Sequence, residues 1–102
     1  NDLRLPPIDN KKRINFDKFQ NYEILAKNRD KLRKYLSNKG IGTIIQWNGV
    51  ATNKLKKLGI YSNLKNSDMM FKQLLMLPMN NFLTNKEIIY ITTEIKNFYK
   101  KK

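Results

Sequence analysis

Apolar residues change their spacing several times along this chain, and each change marks an element. Phe19, Tyr22, Ile24 and Leu25 form a short run between polar residues, the pattern of a strand. Leu32, Tyr35 and Leu36 recur at i, i+3 and i+4, one stripe of an amphipathic helix. Arg29, Lys31, Arg33 and Lys34 flank or oppose that stripe. Asn28 precedes it as a candidate N-cap, and Gly40 follows where a left-handed residue closes a helix. The β-branched Ile41, Thr43, Ile44 and Ile45 predict a second strand. Gln46 to Asn53 reads as a loop around Gly49, and Lys54 to Leu58 as a short helical turn ending at Gly59.

Asn66 or Ser67 is placed to cap a further helix through Met69, Met70, Leu74 and Leu75, stopping near Pro78. The last element has the plainest start: Thr84 and Glu87 form a capping box. Ile88, Ile91, Ile95 and Phe98 then share one narrow face and are expected to point into the core. The lysines at 100–102 suit the negative end of that helix dipole. Ile89, Tyr90 and the four methionines supply more apolar surface than a small core needs, so an exposed apolar face is expected. The order strand, helix, strand, then two or three helices predicts an α+β domain, a small sheet covered by helices.

Pro6 and Pro7 interrupt both helix and sheet, and Asp9 to Arg13 is polar. Residues 1–18 are therefore expected to be an irregular lead-in from an upstream domain, and residues 19–102 one small domain. The length of 102 residues fits a single modest core. A start at Asn1 rather than Met suits an excised or processed piece.

Lys and Arg number 21 against 8 for Asp and Glu, a net charge of +13. Such a balance commonly marks a nucleic-acid or other polyanion partner. A second reading is compositional, because the chain is crowded with Lys, Asn and Ile, as AT-rich coding favours. Arg4, Arg13, Arg29 and Arg33 are its only arginines, whereas phosphate readers favour the planar arginine fork. The lysines are scattered rather than gathered in a stripe.

The chain has no Cys and no His. A disulfide framework, a thiolate nucleophile and any imidazole base or ligand are thereby excluded. The apolar runs are short, such as Leu74 to Met79, far below a membrane span, and no signal-peptide pattern opens the chain. A soluble, reducing, cytoplasmic setting is the expectation. The acids Asp30 and Glu87 sit at helix starts, where capping and dipole roles account for them. No glycine-rich phosphate loop and no carboxylate cluster with metal spacing is present. Gln46-Trp47-Asn48-Gly49 is the unusual spot: a lone Trp between amides can build a stacking and hydrogen-bonding surface, or fill a core or rim position.

Three segments in order resemble the C-terminal domain of the DegT/DnrJ/StrS family, pyridoxal-phosphate-dependent aminotransferases acting on nucleotide-linked keto-sugars. Tyr22-Glu23-Ile24, Arg29, Leu32, Leu36 and Gly40-Ile41-Gly42-Thr43 are similar to its strand, R-x-x-L-x-x-x-L and G-I-x-T. Ile45-Gln46-Trp47-Asn48-Gly49, ending at Leu58-Gly59, resembles a subgroup with Q-W-G-G. Leu77-Pro78-Met79-Asn80, Leu83-Thr84, Glu87, Ile91, Ile95 and Phe98-Tyr99 are similar to L-P-M-H-x-x-L-T-x-x-E and the helix after it. The match runs from about Gln20 to Tyr99. The resemblance implies the small C-terminal domain of a fold-type I aminotransferase, one that closes the substrate cleft in a homodimeric enzyme. It implies substrate-side contacts at Gln46, Trp47 and Asn53.

Family members often carry His where Gln46 and Asn80 stand, and in the Q-W subgroup near Asn53, so imidazole roles are lost here. The Schiff-base lysine and the phosphate cup belong to the family's large domain. Pyridoxal phosphate is thus expected in the intact enzyme and not on this chain alone. No residue here is assigned a catalytic or metal-binding role, and the isolated chain is expected to be inactive. The implied partners are the missing large domain and a nucleotide-sugar, with neither a specific nucleic acid nor a membrane.

Overall fold

The computed structural model describes residues 2–7 and 20–100. Phe19, most of the lead-in and the lysines at 101 and 102 lie outside the described residues. The element order is β1 (Leu3–Arg4), β2 (Tyr22–Ala26), α1 (Arg29–Asn38), α2 (Lys65–Gln73), β3 (Leu74–Leu77) and α3 (Asn85–Lys100). The domain is α+β, with a three-stranded antiparallel sheet in the order β1-β2-β3.

Strand β2 is central. Leu3 pairs with Ala26 on one side, and Ile24 faces Leu75 on the other. The irregular reading of the first residues therefore fails at Leu3–Arg4, whose backbone completes an edge that β2 would otherwise leave open. Side chains alternate across a strand, which puts Ile24 and Ala26 on one face. That face packs with Leu32 and Leu36 of α1 and with Ile91 and Ile95 of α3 in a single buried cluster that also holds Ile41 and Leu75. Of the four residues expected inward on α3, Ile91 and Ile95 are buried, Phe98 is half-buried and Ile88 is exposed. Ile88 falls in the first turn of α3.

Two elements differ from the sequence expectation. The segment Ile41–Ile45 is not a strand but touches the sheet at one bridge, where Ile44 and Met76 exchange backbone bonds of 3.1 and 2.9 Å. The preceding Gly40 takes φ 74° to end α1, and of the segment that follows only Ile44 comes alongside the sheet. The second difference is β3. Leu74 and Leu75 were expected to continue a helix, yet α2 stops at Gln73 and the chain passes directly into a strand. Arg29 grips this junction from a distance: its Nη1 donates to the Phe71 carbonyl at 2.7 Å and the Leu74 carbonyl at 3.4 Å. It satisfies the Phe71 carbonyl, which a continuing helix would have paired with Leu75 N–H.

The helix ends follow local rules unevenly. After α1, Ile41 N–H donates to the Leu36 carbonyl and Gly40 N–H to that of Ser37, a Schellman closure. The capping box at α3 forms fully, with Thr84 N–H donating to Glu87 Oε2 at 2.8 Å and Glu87 N–H to Thr84 Oγ1 at 3.3 Å. Asn28 stands at the N-cap of α1 but in a left-handed conformation with no side-chain cap bond. Neither Asn66 nor Ser67 caps α2, which begins earlier, at Lys65; Ser67 Oγ donates to Asn53 Oδ1 at 3.4 Å instead.

Helices α1 and α3 are tied by one polar cluster. Tyr35 Oη donates to Glu94 Oε2 at 2.6 Å, Lys39 Nζ stands 3.6 Å from the same oxygen, and Tyr90 Oη donates to the Lys39 carbonyl at 3.0 Å. The Tyr35 bond, more than the Lys39 charge, holds the Glu94 carboxyl below its usual range, and the Tyr35 hydroxyl is pushed up in return. A carboxylate with a lowered folded pKa stabilises above its unfolded value, and that contribution disappears as pH falls through the folded one. Thermal melts should therefore lose stability below pH ~4.3, the ordinary glutamate range. In Glu94→Gln that acid-side slope should flatten; an unchanged slope would place the acid sensitivity elsewhere.

Candidate functional site

The chain leaves the sheet at Ile44 and enters a tight turn, Gln46–Gly49. Three consecutive residues there have positive φ: Trp47 at 48°, Asn48 at 52° and Gly49 at 73°. Glycine adopts this region freely, whereas each ordinary L-residue costs roughly 1–2 kcal/mol in it. Strain held at Trp47 is the kind that clusters at functional sites, whereas Asn48 is a residue type that tolerates this region. The indole of Trp47 is 67% exposed.

The support beneath the turn comes from two distant elements. The Trp47 ring lies near-parallel to Phe71 of α2, with centroids 6.4 Å apart. A Cβ on Gly49 would stand 3.6 Å from Arg29 Nη1 and 3.4 Å from Ile45 Cγ2. The backbone thus comes close over the guanidinium that grips the end of α2. Gly49 is favoured there by its φ, since a Cβ would meet these neighbours at ordinary contact distance. Arg29 is the joint between the turn, α1 and the α2–β3 junction, and its guanidinium is engaged with carbonyls rather than free for a ligand.

The three residues implied as substrate contacts are placed differently. Trp47 is presented to solvent and Gln46 is half-buried beside it. Asn53 is buried, and its side chain is committed: Nδ2 donates to the Ser62 carbonyl at 2.9 Å, and Oδ1 accepts from Ser67. The Asn53 carbonyl also accepts from Ser62 N–H at 2.9 Å, so Asn53 and Ser62 close the neck of the loop between them. A substrate contact through the Asn53 amide would give up these bonds. Trp47 and Asn53 meet a common support, because Phe71 and Ser67 are one turn apart on α2. Lys54 Nζ adds an ion pair with Asp68 at 2.8 Å, which holds the Asp68 carboxyl below its usual range.

A second feature is an apolar groove of about 400 Å³ between α3 and the sheet edge, lined by Leu3, Tyr22, Leu77, Met79, Ile88 and Ile91 among others. Exposed apolar side chains also stand at Ile89 and Tyr90 of α3 and at Met69 and Met70 of α2.

Pyridoxal phosphate is expected on the large domain of the intact enzyme and not on this chain. Such a site needs a lysine amine facing a cavity beside a carboxylate free for the ring nitrogen. Here Glu94 is engaged by Tyr35 and Lys39, Asp68 by Lys54, and Glu87 by its own cap. No lysine among the described residues is buried. Among the described residues there is also no group of acids that would hold a metal ion, and no helix long and apolar enough to cross a membrane.

The chain matches no protein-family model and no curated protein.

Proposed function

We propose that this chain is the C-terminal small domain of a pyridoxal-phosphate-dependent aminotransferase that moves an amino group from glutamate to a nucleotide-linked keto-sugar. The outward Trp47 on its strained turn is the observation that carries this reading, because a domain that lines a substrate cleft needs a preorganised, exposed contact of this kind. The ordered motif resemblance from Gln20 to Tyr99 supports it. In this reading the domain forms one wall of the cleft. Trp47 stacks against a flat group of the substrate, Gln46 supplies amide hydrogen bonds beside it, and Asn53 acts indirectly by fixing the neighbouring loop. The cofactor, its lysine and all proton transfers come from the large domain. The open groove and the apolar surface of α2 and α3 are where such a domain, or a second subunit, would rest.

The test is reconstitution. The chain is mixed with the large domain of a family enzyme from which the small domain has been removed. Amino transfer to a nucleotide-linked keto-sugar should appear in the mixture and in neither part alone. Association of the two without any transfer, in the presence of cofactor and glutamate, would count against the reading.

The positive charge gives a further expected result. Duplex DNA should bind weakly, without sequence preference, and release steeply between low and physiological salt, since counterion release dominates such contacts. A sequence preference surviving at physiological salt, scored by fluorescence anisotropy, would instead support a nucleic-acid module.

A further inference from the structure

The loop closed by Asn53 and Ser62 is built in a way the transferase reading does not use. Its neck is rigid: two hydrogen bonds join the two residues, and the Lys54–Asp68 pair fastens one strand of it to α2. Internal turns shape the rest, with Leu58 N–H donating to the Leu55 carbonyl and Gly59, at φ 71°, to that of Lys56. Compact loops with joined ends are frequently functional. The sequence of this one, Lys54-Leu55-Lys56-Lys57-Leu58-Gly59-Ile60-Tyr61, alternates cations with apolar side chains that a folded chain would ordinarily bury. Leu58 is 68% exposed, and Ile60 and Tyr61 are also exposed. Lys56 Nζ sits 4.6 Å over the Tyr61 ring, which gathers cation and aromatic ring at one tip. Lys56 and Lys57 have no carboxylate partner among the described residues.

We infer that this loop, residues 54–61, is a peripheral docking element for an anionic lipid surface. Lysines draw a protein to anionic headgroups, and aliphatic and tyrosine side chains enter the interface once there. The combination selects among polyanions. Leu58 and Ile60 gain nothing against a phosphodiester backbone, and the loop offers no arginine fork to phosphate. A second copy docked loop to loop would set Lys56 and Lys57 against the same cations. Hydropathy argued only against spanning a bilayer, and surface attachment needs no span.

The experiment is co-sedimentation of the full chain with vesicles of phosphatidylcholine alone and of phosphatidylcholine mixed with phosphatidylglycerol. The chain should bind the anionic vesicles and ignore the neutral ones. Lys56→Gln/Lys57→Gln should weaken binding by roughly thirty-fold. Leu58→Ser/Ile60→Ser should weaken it by roughly ten-fold or more, most visibly at physiological salt. Lys31→Gln/Lys34→Gln on α1 removes the same charge from elsewhere and should change binding by less than about three-fold. Far-UV circular dichroism checks that each variant is folded, and Leu58→Asn alone serves if the double aliphatic change is not. Equal losses from the α1 and loop lysine pairs would reduce the effect to net charge and overturn the proposal. Undiminished binding of the aliphatic variant would do the same, as would loop-dependent binding to duplex DNA without binding to vesicles.

Discussion

Replacing Leu36 with Ala is expected to lower the free energy of unfolding by ~3 kcal/mol, within the usual range for emptying a fully buried leucine site. Leu36 is wholly buried in the cluster that joins α1, α3 and the sheet. Its carbonyl accepts from both Lys39 and Ile41 N–H in the closure of α1, and Ile41 packs into the same cluster. Truncation therefore leaves a cavity beside the closing turn, where neighbours on three elements hold it open. In a domain of this size the loss should lower the melting midpoint by roughly 10–25 °C. Chemical denaturation measures it directly; a change of a few tenths of a kcal/mol would mean that the site collapses or was never close-packed.

Arg29→Ala is the second large effect, about 1.5–3 kcal/mol from charge-assisted bonds to partly buried carbonyls. Its guanidinium is mostly sheltered, and the exposed pair with Asp30 adds little. The more informative readout is Trp47. Without Arg29 the end of α2 loses its restraint, Gly49 loses the surface it rests on, and Phe71 is no longer fixed under the indole. The emission of Trp47, the one Trp of the chain, should shift to longer wavelength. Arg29→Lys should not restore it, because an ammonium cannot reproduce the planar fork. Recovery by lysine would reduce Arg29 to a simple charge.

What the sequence made legible was mostly local. Gly40 and the Thr84–Glu87 box act through neighbours a few residues away, and both closures form as their spacing suggested. The helical stripes of α1 and α3 were legible for the same reason, since Leu32, Leu36, Ile91 and Ile95 repeat at the helical period. Leu74–Leu77 was not legible. No Gly or Pro separates it from α2, and the group that grips the junction, Arg29, is remote in sequence. Ile41 to Ile45 has β-branched residues suited to a strand, but pairing depends on what lies alongside, and only Ile44 reaches Met76.

In the candidate site, Trp47 stood out as an aromatic residue beside amides and a glycine. Its support from Phe71 and Arg29 is tertiary and left no mark in the local sequence. Asn53 shows the reverse case. Its position in a loop suggested availability, whereas its amide is spent on Ser62 and Ser67. A buried amide needs such partners, and residue type alone does not reveal them. The basic and apolar residues of 54–61 were visible as letters, but their exposure follows only from the closed neck.

The most direct measurement of the central claim is a fluorescence titration of the full chain. Trp47 emission is followed as a nucleotide-linked sugar is added, with inorganic phosphate and a free sugar as comparisons. A saturable change with the nucleotide-sugar that neither comparison produces, and that is lost in Gln46→Ala, is the result expected of a substrate-side wall. Emission that stays constant throughout the nucleotide-sugar titration, or that responds equally to phosphate alone, would contradict it.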